Sequence, residues 1–169
     1  VYKAYIALGS NLYDPATQVT NAFAALDKIP RTKVVKRSSL YQSTPVGYDN
    51  QPDFINAVAQ VQTEANPEAL LKALLDIEHD FGRERPFANA PRILDLDLLQ
   101  YEDVECKTDF LTLPHPRMHL RGFVLLPLAE IAPDLTIRYV DVTANACNVV
   151  ELAQAFQHQG IAKLSKHSV

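Results

Sequence analysis

Asp95 and Asp97 lie two residues apart in PRILDLDLLQY, a stretch otherwise rich in leucine and isoleucine. On an extended strand, alternate side chains share a side. Both carboxylates therefore point one way, while Leu94, Leu96 and Leu98 point the other way, into a core. Same-side neighbours stand roughly 7 Å apart. Two negative charges that close repel unless something positive lies between them. Hard divalent cations with oxygen ligands meet that need, and two ions about 3.5–4 Å apart can share such a pair. The other reading is a pair of structural aspartates bonded to arginines, because a bare D-x-D is common.

Positive charge gathers in two segments. FGRERP carries Arg83 and Arg85, with Arg92 at the far side of the same loop, and LPHPRMHLRGF carries His115, Arg117, His119 and Arg121. No acidic residue occurs between Phe110 and Ala129. Guanidinium forks match phosphate oxygens, so the pattern suits a polyphosphate. Solvated surface charge is the alternative, and the plainer one for Arg117 and His119. Glu78 falls four residues after Leu74, at the edge of an apolar helical stripe. Its carboxylate either stands in water on the flank or faces an adenosine hydroxyl. Phe54 and Asn56 share the non-core side of a strand, where a ring to stack and an amide to pair would suit a flat heterocycle. Phe123 could supply the second slice of that sandwich. Alternatively, Phe54 packs under the loop over 44–52.

Strands and helices must hold these groups. VYKAYIALG alternates, with Tyr2, Ala4, Ile6 and Leu8 on one side, and predicts a first strand. Asp14 and Pro15 supply an N-cap and a first helical residue, and Ala16, Val19, Phe23 and Leu26 follow at helical spacing up to Pro30. KVVKRSSLYQS reads as a second strand and DFINAVAQVQTE as a third, with Ile55, Ala57, Ala59 and Val61 inward. Asn66 and Pro67 open a second helix, whose apolar side is Leu70, Leu71, Leu74, Leu75, Ile77 and Phe81, and Gly82 ends it. RILDLDLLQY is the next strand. A short strand is expected near 110–113, a helix over 123–131 despite Pro127, and a last helix over about 149–158. The order β-α-β-β-α-β is the ferredoxin-like pattern. It predicts an α+β fold: an antiparallel sheet with helices on one face, the other face free for a ligand, and extra C-terminal elements.

With 169 residues, one domain over 1–169 is expected, large enough to bury a core without staples. Apolar residues make up 47 %, and the formal charge of −4 argues against general nucleic-acid binding. Cys106 and Cys147 are too few and too far apart for a zinc site or a disulfide framework, which suits a reduced, cytoplasmic setting. No leader and no membrane span are expected, since the longest apolar run is short and contains Glu130.

Taken together, PR-x-LDLDLL, LPHPRM…RGFVL-x-PL-x-EIAP, the opening A-x-GSNL and TP-x-G…QPDF-x-N resemble the 6-hydroxymethyl-7,8-dihydropterin pyrophosphokinases of folate biosynthesis, over residues 4–133. The resemblance implies a ferredoxin-like core and transfer of pyrophosphate from ATP to the hydroxymethyl group of the pterin, releasing AMP. It implies that Asp95 and Asp97 hold two Mg²⁺ ions. Glu78, Arg83, Arg85, Arg92, Leu98, His115 and Arg121 would contact ATP, with Arg83 and Arg92 acting in catalysis beside the aspartates. Thr44, Pro45, Val46, Phe54, Asn56 and Phe123 would form the pterin pocket. Residues 9–12, 47–52 and 83–91 match loops that close over the site. The expected partners are ATP and a pterin, with no nucleic acid and no membrane, on a monomer. There are departures: PFANA lacks an arginine–tryptophan pair carried by some members and is one residue shorter, and Phe54 replaces a tyrosine. Two rivals fit less well. A nucleotidyltransferase would bring Gly-Ser and D-x-D closer together in sequence. An RNA-binding module would spread aromatics and lysines over the sheet, where this chain sets carboxylates.

Overall fold

YKAYIALGS forms β1 (Tyr2–Ser10), the strand around which the rest is arranged. The computed structural model describes residues 1–44, 53–82, 93–138, 146–157 and 160–164. Pro45, Val46, Arg83, Arg85 and Arg92, with the expected loops over 47–52 and 83–91, lie outside the described residues. In chain order there follow α1 (Pro15–Asp27), β2 (Thr32–Arg37), β3 (Tyr41–Ser43), β4 (Phe54–Thr63), α2 (Pro67–Phe81) and β5 (Asp95–Tyr101). Next come β6 (Cys106–Lys107), β7 (Thr112–Leu113), α3 (Gly122–Ile131), β8 (Thr136–Ile137), β9 (Cys147–Asn148), α4 (Val149–Gln154) and β10 (Ile161–Lys163).

The main sheet runs β10-β3-β4-β1-β5, with β2 also on β4, and every pairing is antiparallel. The expected second strand is two strands. At the break, Ser38 N–H donates to the Val58 carbonyl at 2.9 Å while the Ser38 hydroxyl accepts from Val58 N–H at 2.8 Å. A side chain thus stands in for one rung of the ladder, and the strand resumes at Tyr41.

One expectation is overturned: helices cover both faces of the sheet. On the first face, Ala4, Ile6 and Leu8 pack with Val19, Phe23 and Leu26 of α1 and with Leu70 and Leu74 of α2. On the second, Tyr5, Ala7, Val58 and Leu99 pack with Val124, Leu125 and Leu128 of α3 and with Val149 and Ala153 of α4. The physical reason is α3 itself. GFVLLPLAEI is apolar nearly all round and has to be sandwiched, here between the sheet and α4. A ligand can therefore use only the part of this face that α3 leaves open.

Smaller corrections concern helix ends. Asn66 caps α2 as its type predicts, its Oδ1 accepting from Ala69 N–H at 2.8 Å. Asp14 stands at the N-cap of α1, before Pro15, as expected, but its side chain makes no capping bond to the helix backbone. It is left-handed, with φ 59, and its carboxylate accepts instead from the Thr17 hydroxyl at 2.8 Å. The final helix, α4, ends at Gln154, short of the expected 158; His158 lies outside the described residues. In β5 the register against β1 slips between Tyr5 and Ile6, leaving Leu99 as an extra residue. Leu98 and Leu99 still alternate between the first and second cores, and the extra residue returns Tyr101 to the first core, where simple alternation from Leu98 would have turned it to the second.

Candidate active site

The last residues of β1 and β3 and the first residues of β4 and β5 meet at one end of the sheet, because all of these pairings are antiparallel. There they form a cavity of about 780 Å³, closed on the sides by α2 and by the start of α3. Asp95 and Asp97 line it, both half-buried, while Leu94, Leu96 and Leu98 are buried in the first core, as strand alternation requires. Asp97 Oδ2 lies 3.7 Å from Arg121 Nη1, too far for a hydrogen bond and close enough for charge to count. The Asp97 side chain is 44 % exposed.

Arg121 and His115 line the same cavity. His115 N–H is anchored on the Leu99 carbonyl at 2.8 Å, and its Nδ1 accepts from Arg117 N–H at 3.1 Å. An Nδ1 that accepts places the proton of the neutral ring on Nε2. Burial, together with the Arg121 and Arg117 charges, holds this histidine below its ordinary value against the opposing pull of Asp97. Arg117 and His119 do not line the cavity.

Glu78 does not stand in water on the flank of α2. It is 8 % exposed, and its Oε2 accepts from Leu96 N–H at 2.8 Å. Leu96 lies between the two aspartates on the outermost strand, so this carboxylate holds the acidic segment from the side away from β1. Glu78 also lines the cavity, whereas the Leu98 side chain does not.

On the far side, Thr44, Phe54, Asn56 and Phe123 line the cavity as one group. Asn56 is 5 % exposed and donates its amide Nδ2 to the Ser43 hydroxyl at 2.8 Å, which sets which way the amide faces. Gly9 lies against it: a Cβ there would meet Asn56 Oδ1 at 3.0 Å. The Arg121 guanidinium lies 5.8 Å from the Phe123 ring centroid, a cation–π contact that ties the charged half of the cavity to the aromatic half.

Sequence reasoning put Gly9 in a loop over 9–12 closing on the site, whereas Gly9 and Ser10 are the last residues of β1 and Gly9 lines the cavity from the sheet; it missed Ser43 as the partner of Asn56. It also placed Leu71 and Leu75 on the apolar side of α2, and Leu71 does pack against the first core. Both line the cavity, and Leu75 is 43 % exposed. A signal for this was available, since Leu71, Leu75 and Glu78 are spaced i, i+4, i+7 and so share one helix face.

Residues 5–133 match the family described as 7,8-dihydro-6-hydroxymethylpterin-pyrophosphokinase (HPPK). The chain belongs to this family. The activity that comes with membership is ATP-dependent pyrophosphoryl transfer in folate biosynthesis. Among relatives, a 2-amino-4-hydroxy-6-hydroxymethyldihydropteridine pyrophosphokinase of Haemophilus influenzae is 43 % identical over 162 residues, covering 96 % of this chain and 98 % of that one. The enzyme of the same name from Pseudomonas aeruginosa is 40 % identical over 164 residues, covering 97 % and 98 %. In fold, the chain is similar to the Plasmodium falciparum HPPK-DHPS solved with pterin and p-hydroxybenzoate, at TM-score 0.68 and 16 % identity. That similarity covers 92 % of this chain but only 43 % of the larger one. The family match over 5–133 stops before α4 and β10, whereas the alignments with the two relatives run over nearly the whole chain.

Proposed function

We propose that this cavity is where pyrophosphate passes from ATP to the hydroxymethyl group of 6-hydroxymethyl-7,8-dihydropterin. One observation carries the assignment: a half-buried carboxylate pair with a histidine and an arginine shares a single cavity with a buried amide and two aromatic rings. Phosphates suit the first group and a flat heterocycle the second.

Asp95 and Asp97 fit Mg²⁺. They are hard oxygen donors on one side of a strand, and the Asp97 carboxylate is only loosely paired. Among the described residues there is no group of three or more histidine, cysteine or acidic side chains that could complete a cage. The remaining ligands of two such ions would therefore be phosphate oxygens and water. When bound, the ions would neutralise phosphate charge. The chain's own residues position the reactants. Arg121 and the Nε2–H of His115 meet phosphate oxygens. Phe54 and Phe123 hold the heterocycle between them, and Asn56 reads its edge. The pterin hydroxyl then attacks the β-phosphorus in line, and AMP leaves. Such a transfer is mainly positioning and charge compensation.

Glu78 would face the nucleoside, next to Leu71 and Leu75. Because Leu96 N–H points to Glu78 on the outer edge of β5, alternation aims the backbone groups of Leu98 outward as well, so any contact of Leu98 with ATP would be through its backbone. Arg83, Arg85 and Arg92 would reach the phosphates, and Pro45 and Val46 the pterin. The chain is read as one ferredoxin-like domain over 1–169, a cytoplasmic monomer. Among the described residues no helix is long and apolar enough to cross a membrane.

Incubation with ATP, Mg²⁺ and the hydroxymethyl dihydropterin tests the reading. AMP should appear in step with a pterin diphosphate ester. ADP as the nucleotide product would rule out pyrophosphoryl transfer.

A further inference from the structure

The aromatic half of the cavity is held from outside by a C-terminal part of the chain, β10 and the residue before it, which follows the residues 5–133 of the family match. β3 is three residues long and supplies Ser43, with Thr44 just after it. On one side it pairs with β4, and on the other with β10, with Ile161 opposite Ser43 and Lys163 opposite Tyr41. Two more backbone bonds extend the seam: Thr44 N–H donates to the Gly160 carbonyl at 3.3 Å, and Leu164 N–H to the Leu40 carbonyl at 2.8 Å. A strand this short, with one edge unpaired, would fix its last side chains poorly.

β10 also reaches the other wall of the slot. Lys163 Nζ lies 3.7 Å from Glu130 Oε2 on α3, and the same carboxylate accepts from the Tyr41 hydroxyl of β3 at 2.7 Å. Gly122, one residue before Phe123, has no room for a side chain: a Cβ there would stand 2.6 Å from Phe156 Cβ and 2.8 Å from Ile161 Cδ1. Gly160 is equally confined. Its φ is +74, and a Cβ would stand 2.9 Å from Thr44 Oγ1. Thus the same few residues touch the segment bearing Ser43 and Thr44 on one side and the start of α3, with Phe123, on the other.

We propose that Gly160 and Lys163 are positioning residues for the pterin substrate. They fix Thr44 and, through Ser43, the direction of the Asn56 amide, and so set specificity on the heterocycle side while leaving the nucleotide side alone. This rests on the assignment of that half of the cavity to the pterin.

The test is Gly160→Ala, which keeps the chain length but forces a Cβ onto Thr44. Pterin fluorescence should report Kd raised by roughly tenfold, the loss expected when one hydrogen bond in the slot is misaligned. Binding of a non-hydrolysable ATP analogue with Mg²⁺ should change less than about twofold on the same scale. Lys163→Met, a surface change that cuts only the tie to Glu130, should shift pterin Kd in the same direction by a smaller factor. It keeps the test alive if Gly160→Ala fails to fold. Wild-type pterin affinity in the folded variants overturns the proposal. Equal losses for both ligands also overturn it, since they indicate general loosening. A wild-type protein that binds the nucleotide but no pterin fails at the earlier assignment, before either variant is made.

Discussion

At the scale of single residues, charge and shape separate cleanly. Asp95→Asn and Asp97→Asn keep the outline of the carboxylates and remove their charge. Each variant should fold, as judged by circular dichroism, and lose most turnover at limiting Mg²⁺. Near-normal single-turnover rates in either variant would remove that aspartate from metal binding. Phe54→Ala tests the opposite end of the cavity. By analogy with base–aromatic stacking it should weaken pterin binding by about 1–3 kcal/mol. ATP affinity should move far less, because Phe54 lies on β4 with Asn56, away from the carboxylates of β5. Equal losses for both ligands would mark Phe54 as a packing residue. The directions of these side chains were readable because strand alternation leaves little choice. The place of Glu78 was harder to read. Helical periodicity puts it on the rim of a stripe, and only the meeting of α2 with β5 shows that a backbone N–H lies there to be satisfied.

Elements raise a different question, which is how walls from distant parts of the chain keep a fixed spacing. Glu130 gives one answer. Burial alone would raise its pKa, but hydrogen bonds from Tyr41 and Ser39 and the charge of Lys163 outweigh that and hold it below the ordinary value of 4.5. A depressed folded value means stability that is present above the unfolded pKa and is lost as pH falls through the folded one. Urea melts at neutral pH and near pH 4 should show the wild type losing more stability than Glu130→Gln over that interval. Parallel losses would mean that this carboxylate is not an acid-sensitive tie. The strands β1, β4 and β5 and the first two helices were legible in the sequence, because alternation and helical spacing are local signals. The covering of the second face was not. FVLLPLAEIA reads as a helix in any context, but nothing in its own pattern says which sheet face it will occupy. The break at Ser38 was hidden as well, because a serine that replaces a backbone rung looks like any polar strand residue.

The whole molecule carries a net charge of −4, and among the described residues its cavity sets Asp95, Asp97 and Glu78 against Arg121, with His115 held toward its neutral form, so a polyphosphate there would need divalent cations to offset the carboxylates. The same cavity borders the second core. Val124 packs with that core and also lines the cavity, and Phe123 packs against the one and lines the other. The apolar interior on that side is therefore left open where the heterocycle would lie. A molecule seated there acts as a removable piece of the protein's own packing. Binding to the folded chain alone adds about 2.7 kcal/mol when free ligand stands near 100 times its Kd, or roughly 5–10 °C in Tm for a chain of this size. Pterin should produce such a shift in a thermal melt, and Phe54→Ala should shrink it at the same ligand concentration. A pterin that saturates the site and leaves Tm unmoved would mean that the interior is already complete without it.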